Sequence, residues 1–103
     1  EVDSFALETG LSATIELKVH EDMHLLSPII ETANHYVFMG FDSILDNAAK
    51  MAVREAISFL SEKRKIRRED AYILCSLAVD LRVTQIVNGI KGVHAMLKKS
   101  LLQ

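Results

Sequence analysis

The stretch EDAYILCSLAVDLRVTQIVNGIKGVHAML, residues 69–97, decides the fold because its hydrophobic period changes in the middle. In its first half, one helical face carries the apolar side chains of Ala71, Leu74, Cys75, Ala78 and Val79. After Asp80 the period becomes two, which is typical of a strand. One side of that strand then carries Leu81, Val83, Gln85 and Val87, and the other carries Arg82, Thr84, Ile86 and Asn88. We therefore predict a mostly buried helix that leads directly into a strand.

A longer helix is predicted upstream, over residues 43–61, with Asp42 as its N-cap. Its apolar stripe consists of Leu45, Ala48, Ala49, Ala52, Ala56, Phe59 and Leu60. Because the stripe is largely alanine, the helix axis can lie close to a sheet. A larger side chain at Ala52 is therefore expected to overpack the interface, at a cost of about 1–3 kcal/mol.

The sheet is predicted from strands on both sides of this helix. Alternating apolar residues predict strands over residues 2–8 and 12–20, joined by a short turn, and branched and aromatic residues predict two more over residues 29–32 and 35–39. Gly40 is predicted to end the last of these. The fold class that follows is α+β, an antiparallel or mixed sheet with two consecutive helices packed on one face. The pattern leaves residues 93–102 open to either strand or helix.

Length and composition bound the range of functions. A chain of 103 residues is one domain at most, and with half its residues apolar and a quarter charged it is a globular composition. A net charge of −2 gives no general attraction for nucleic acid or for an anionic membrane, so we expect neither as a partner. One cysteine excludes an internal disulfide, and without a long apolar run or a signal-like N-terminus we expect a cytoplasmic location.

The segment SLAVDLRVTQIVNGIKGVHAML, residues 76–97, is similar to the C-terminal signature of the acetamidase/formamidase family of amide hydrolases. The resemblance continues upstream, where NHYVFMGFDSILDNAAKMAVREAISFL, residues 34–60, resembles the strand and long helix that precede that signature. Glu1-Val2 resembles the end of the family's Gly-Asp-Gly-Glu segment. Since those enzymes are much longer, the resemblance implies that residues 1–103 are a single C-terminal portion and that the upstream part is absent.

The same resemblance implies the activity and its partners. It implies hydrolysis of small carboxamides, formamide or acetamide, to carboxylate and ammonia, with a divalent metal, zinc, held mostly by ligands upstream of this chain. The expected partners are a small amide substrate and either the remainder of the enzyme or a second copy, and we expect the chain to be inactive alone. The alternatives are a non-catalytic protein-interaction domain and a KH-like RNA-binding module.

Four residues are the catalytic candidates. Asp80, Gln85 and Asn88 belong, with Arg82, to a polar group where the buried helix meets the strand, and an amidase needs such donors and acids around its substrate. Glu1 is a candidate because the resemblance implies that its segment approaches the metal site. The alternative for Asp80 and Arg82 is that they pair with each other or cap the helix, and Gln85 could equally be a structural amide that satisfies buried backbone.

Three other motifs are interpreted as structural. His20-Glu21-Asp22-Met23-His24 spells the H-E-x-x-H pattern of zinc proteases, but it follows a strand-like run and precedes Pro28, which prevents the supporting helix. Residues 63–68, KRKIRR, are interpreted as a solvated turn between the helices. Cys75 is interpreted as inert packing.

A fourth motif concerns RNA. Gly89-Ile90-Lys91-Gly92 resembles the G-x-x-G loop of KH domains, which joins two helices and holds an RNA backbone. Because it follows a strand-like run here, we interpret the glycines as a tight turn.

Overall fold

The computed structural model describes residue 3 and residues 5–102, so the candidate Glu1 and the start of the strand predicted over residues 2–8 lie outside the described residues. Four strands, two α-helices and a final 3₁₀ turn follow an irregular segment. In chain order they are β1 (Ile29–Glu31), β2 (His35–Asp42), α1 (Leu45–Arg64), α2 (Arg68–Ala78), β3 (Asp80–Gln85), β4 (Lys91–Lys98) and the turn Lys99–Leu102.

The four strands form one antiparallel sheet in the order β1-β2-β4-β3. β4, the last strand along the chain, therefore lies inside the sheet, with β2 on one side and β3 on the other. The segment that the sequence left open, residues 93–102, is strand as far as Lys98 and turn beyond it. The α+β fold class is confirmed.

Helix α1 packs against β2 and β4, and α2 packs beside α1. The predicted alanine stripe is the centre of this contact, since Ala48, Ala52, Ala56 and Leu60 are completely buried. Phe59 lies tilted against Phe38 of β2, with ring centroids 5.3 Å apart. Within residues 5–102, neither helix is long and apolar enough to cross a membrane.

Gly40 is an interior residue of β2, so the prediction that it ends the strand is wrong. A Cβ built on Gly40 would lie 2.1 Å from the backbone oxygen of Ala48 and 2.6 Å from the backbone nitrogen of Ala52. Since heavy atoms cannot approach so closely, only glycine lets the two backbones meet here. The glycine marks a helix–strand contact rather than a strand end.

The two ends of α1 show how the local sequence limits the helix. α1 begins at Leu45 with Ile44 as its N-cap, so the prediction of Asp42 as N-cap is wrong. Asp42 instead accepts hydrogen bonds from the Ile44 backbone N–H at 2.8 Å and from Asn47 Nδ2 at 3.3 Å. At the other end, Lys65 adopts a left-handed conformation, and the Ile66 N–H donates to the Leu60 carbonyl at 3.2 Å.

The basic run KRKIRR supplies the turn between the helices, as predicted. Lys65 ends α1, and Arg67 is the N-cap residue of α2. Arg67 donates to both carboxylate oxygens of Asp70, at 2.8 and 3.0 Å. These hydrogen bonds from the guanidinium lower the pKa of the Asp70 carboxyl below its ordinary value.

The strand predicted over residues 12–20 does not form in this structure, and the described part of the one predicted over residues 2–8 is irregular as well. Ile15, Leu17 and Val19 are at least 77% exposed. The alternation itself is real, but a strand requires a neighbour that supplies its backbone hydrogen bonds, and no described segment lies beside residues 12–20 in a sheet. The pattern therefore indicates a segment that is able to pair as a strand, but no described segment pairs with it.

The contact at Gly40 generates a stability prediction. Gly40→Ala is expected to lower the free energy of unfolding by about 1–3 kcal/mol, because α1 must move away from β2 to admit the methyl group. Urea denaturation of the purified chain measures this change. The matched control is Gly89→Ala, since a Cβ at Gly89 meets nothing within 4 Å; equal stability of both variants would contradict the close contact.

Candidate functional site

The sheet has one face covered by the helices and one face that no helix covers, which we call the open face. Across the open face, Arg82 of β3, His94 of β4 and Met39 of β2 lie in one row, since each is the register partner of the next. Asp80, Met96 and Val37 form the adjacent row. The polar residues of β3 thus share a surface with a histidine and with apolar side chains of the inner strands.

Thr84 and His94 are joined by a side-chain hydrogen bond on the open face, with 2.8 Å between Thr84 Oγ1 and His94 Nδ1. The bond joins neighbouring strands and fixes the plane of the imidazole. His94 lies within β4, between Val93 and Ala95 of the buried core. With Nδ1 engaged, Nε2 is the ring nitrogen left to form a hydrogen bond with a ligand.

Gln85 lies on the open face, so the prediction that it shares a face with Leu81, Val83 and Val87 is wrong. The register shifts between Val83, which pairs with Val93, and Gln85, which pairs with Gly92. One extra residue in β3 at this point breaks the period of two. A Cβ built on Gly92 would lie 3.3 Å from the Thr84 Cβ and 3.5 Å from the Gln85 Cγ, so both side chains project on the same side as that missing Cβ.

The amide of Gln85 holds the connection between β3 and β4, residues 86–90. Its Nε2 donates to the Ile90 carbonyl at 3.0 Å, and its Oε1 accepts from Asn88 Nδ2 at 3.4 Å. Lys91 Nζ donates to the Asn88 carbonyl at 2.5 Å. The structure therefore brings Gln85 and Asn88 together, in contacts that order a loop; a catalytic role for either stays a prediction.

Asp80 lies at the opposite end of β3 from Gln85, about 17 Å away at the ordinary rise of a strand. Asp80 and Arg82 are exposed, and within the described residues neither forms an ion pair. The alternative that they pair with each other is thus not realised. The predicted polar group is split into two parts, one at each end of the strand.

Gly89 and Gly92 do not form the predicted tight turn together, because Gly89 lies in the loop of residues 86–90 while Gly92 belongs to β4. Gly92 is buried there, and a Cβ on it would lie 3.3 Å from the Thr84 Cβ and 3.4 Å from the Phe41 ring. The loop of residues 86–90 joins two strands, whereas the KH loop joins two helices. The geometry required for the RNA-binding alternative is therefore not present in this segment.

A groove of about 460 Å³ opens on the helix side of the sheet, above the edge strand β3. Its floor and walls are apolar, and its rim is basic. It is lined by Ala49, Lys50, Val53, Arg54, Ile57, Arg68, Tyr72 and Leu81. Sequence reasoning missed this feature, because Lys50 and Arg54 resemble any solvated helical face until the turn between the helices places Arg68 beside them.

The histidines of the H-E-x-x-H string do not share a helical face, because residues 20–24 are irregular and exposed. His20 Nδ1 lies 3.9 Å from Asp22 Oδ1. Among the residues that the structure describes, no three His, Cys, Asp or Glu side chains come together to hold a metal ion. The described residues thus do not fit the divalent metal that the family resemblance implies, and we derive no step through it.

Cys75 is buried against the helix–sheet core, as predicted. Burial raises the pKa of its thiol above the ordinary value, since the thiolate would lose its hydration there. A thiol with a raised pKa is a poor nucleophile at neutral pH. Cys75 is therefore a packing residue in this structure.

Gln85→Leu tests whether the amide holds the loop. We expect the free energy of unfolding to fall by ~1 kcal/mol, because the Ile90 carbonyl and the Asn88 amide both lose a partner. Denaturation curves of Gln85→Leu and of Gln85→Glu, which keeps the acceptor and removes the donor, measure the two bonds. Unchanged stability in both variants would exclude this structural role.

The double variant His20→Ala with His24→Ala is expected to keep the thermal midpoint of the wild type, because both side chains are exposed. Zinc is expected to raise the midpoint of neither protein. Differential scanning calorimetry with and without equimolar zinc measures both statements. Stoichiometric zinc in the wild type that disappears in the double variant would contradict them.

No protein-family model matches the chain, and no curated protein matches it. Solved structures do match. The acetamidase from Yersinia enterocolitica shares 30% sequence identity with a TM-score of 0.78, over 81% of this chain and 25% of that one. The acetamidase from Bacillus halodurans shares 32% identity with a TM-score of 0.68, over 72% of this chain and 25% of its own length.

A third match shows the fold alone. It is a recombinant predicted acetamidase/formamidase from Thermoanaerobacter tengcongensis, at 21% identity and a TM-score of 0.74, over 80% of this chain and 27% of that one. The chain thus spans about a quarter of the length of these proteins. Fold and identity confirm the resemblance found in the sequence: this chain is similar to about a quarter of the length of acetamidase and acetamidase/formamidase structures.

Proposed function

We propose that residues 1–103 are the C-terminal part of an amide hydrolase that converts small carboxamides, formamide or acetamide, to carboxylate and ammonia. The observation that supports the proposal best is the match to the Yersinia enterocolitica acetamidase, which combines 30% identity with a TM-score of 0.78 over most of the chain. The Bacillus halodurans acetamidase supports it independently.

Amide hydrolysis requires donors that polarise the carbonyl, an activated water molecule and an acid that protonates the departing ammonia. The open face offers a guanidinium in Arg82 and an imidazole in His94, which are register partners on neighbouring strands. The candidates Asp80, Gln85 and Asn88 flank them along β3 and its loop. Among the described residues these groups are dispersed rather than converged on one point, so in our proposal the catalytic set is completed by parts of the longer enzyme.

The isolated chain is accordingly expected to be inactive. Purified residues 1–103 should release no ammonia from formamide or acetamide above a buffer control, with or without added zinc, because no described cluster can bind a metal or converge on a substrate. A coupled ammonia assay measures this. Metal-dependent release by the isolated chain would contradict the prediction.

A graft tests the proposed function directly. In the Yersinia enterocolitica acetamidase, the quarter that this chain matches is replaced by the matched residues of this chain, and ammonia release is assayed. We expect the chimera to retain amidase activity. A folded chimera without activity would contradict the proposal, and the same chimera carrying Gly40→Ala serves as the control for misfolding.

The chimera also tests Gln85. If its amide contacts substrate only in the transition state, Gln85→Leu lowers kcat and kcat/KM together, by about 10–100-fold. If it holds the loop, the variant loses stability while the turnover of correctly folded enzyme is kept. Kinetics normalised to folded enzyme, beside a denaturation curve, separate the two roles.

The second candidate function is a non-catalytic protein-interaction domain. It is favoured by the irregular segment of residues 5–26, in which Phe5, Leu7 and Leu17 are each at least 90% exposed. Apolar side chains so exposed are typical of surfaces that another protein covers. Amidase activity in the chimera would support the amidase proposal. A folded chimera without activity would support the interaction domain.

A further inference from the structure

Residues 12–20 carry the pattern of a strand without a strand beside them. The apolar side chains of Ile15, Leu17 and Val19 alternate with the polar ones of Glu16 and Lys18, and all are exposed. A period of two suits a strand that buries one face. Glu16 and Lys18 pair only with each other, at 3.3 Å and with both side chains mostly exposed, and such pairs are weak and easily exchanged.

Strand β3 offers the edge that such a segment needs. It is an outer strand of the sheet and pairs with β4 on one side only. Its residues Leu81 and Val83 are 50% and 43% exposed, and Leu81 lines the groove on the helix side. An edge of six residues with exposed apolar side chains is a template for a further strand, whereas β1 has only three residues.

One antiparallel register matches the two segments residue by residue. With Leu17 opposite Leu81, Ile15 stands opposite Val83, and the apolar pairs lie on the helix side, over the groove. On the open face, the same register sets Glu16 opposite Arg82 and Lys18 opposite Asp80. It therefore contains two apolar pairs and two pairs of opposite charge, which are the pairings that stabilise antiparallel strands.

The two neighbouring registers that keep apolar residues on the helix side are expected to be less stable. A shift of two residues in one direction sets Lys18 opposite Arg82, and the shift in the other direction sets Glu16 opposite Asp80. Like charges directly opposite each other destabilise a strand pair. Charge complementarity thus selects one register.

The β3 that accepts the segment belongs to a second copy, because the chain's own β3 is out of reach. Asp22 lines a pocket with Ile29 of β1, beside the end of α1, so the chain is held near the β1 edge of the sheet. The position beside Asp80 lies four strand spacings from Ile30, roughly 19 Å. Three residues lie between Lys18 and Asp22, and the four steps of chain from one Cα to the other span roughly 14 Å at most.

We propose that two copies of this chain exchange strands, with residues 14–18 of each copy added antiparallel to the β3 edge of the other. The exchange is reciprocal, so the same surfaces are used twice around a two-fold axis. It covers Ile15, Leu17, Leu81 and Val83 together. It is independent of the proposed amidase activity.

Charge reversal tests the register. Glu16→Arg and Arg82→Glu are each expected to weaken the dimer about tenfold in Kd, because each sets like charges opposite each other at two symmetric places. The double variant Glu16→Arg/Arg82→Glu restores opposite charges and is expected to restore the Kd. Sedimentation velocity across micromolar concentrations gives the Kd, with Glu8→Arg as the control, since Glu8 lies outside the register.

Cysteine pairing distinguishes exchange between copies from closure within one chain. Chains with Glu16→Cys are mixed with chains with Arg82→Cys under mild oxidation, while the native Cys75 is buried. A disulfide-linked dimer is expected from this mixture, and much less from Glu8→Cys mixed with Arg82→Cys. A strictly monomeric wild type, a dimer indifferent to both charge reversals, or an internally cross-linked monomer from the double-cysteine chain would each overturn the proposal.

Discussion

At Gly40 the backbone of β2 lies against the backbone of α1, and the rest of the structure depends on that contact. A methyl group there would overlap the Ala48 carbonyl, and the small side chains of Ala52 and Ala56 extend the close approach along the helix. Because α1 lies so near the sheet, Phe38, Val93 and Leu97 can fill the space on either side of it. The core is thus built from small residues at the helix axis and large ones around it.

The two faces of the sheet have different characters as a result. The helix side is a packed core that opens into the groove above β3. The open face combines Arg82, Thr84 and His94 with the side chains of Met39 and Met96. A surface that mixes charge, imidazole and apolar side chains is well suited to lie against further protein, which agrees with the match to a quarter of longer acetamidases.

Much of the fold could be predicted because the period of the sequence reports directly which side of an element is buried. The alanine stripe of α1 and the change of period at Asp80 correspond to observed elements. The prediction that α2 is mostly buried is wrong, because Ala71 and Cys75 are its only buried residues and Ile73 and Leu77 are exposed. The candidate site was harder to predict, because a single inserted residue near Thr84 moves Gln85 to the other face of the sheet. The hydrophobic period of the sequence does not reveal this insertion. The strand predicted over residues 12–20 is wrong for another reason. Alternation predicts which side chains would be buried together, but not whether a neighbouring strand is present.

The position of β4 in the sheet has a consequence for how this chain is made. β4 is synthesised after the other three strands of this sheet, yet it lies between β2 and β3 and supplies hydrogen bonds to both. While the polypeptide emerges from the ribosome, the strand that completes the sheet is therefore still missing when β1, β2 and α1 have already been made. Of the three strand pairings, only β2–β4 joins segments far apart in the chain, and this pairing slows folding and leaves apolar surface uncovered during the delay. A nascent chain stalled just before Lys91 would have both helices but only the β1–β2 pair of the sheet, and would be a natural substrate for chaperones.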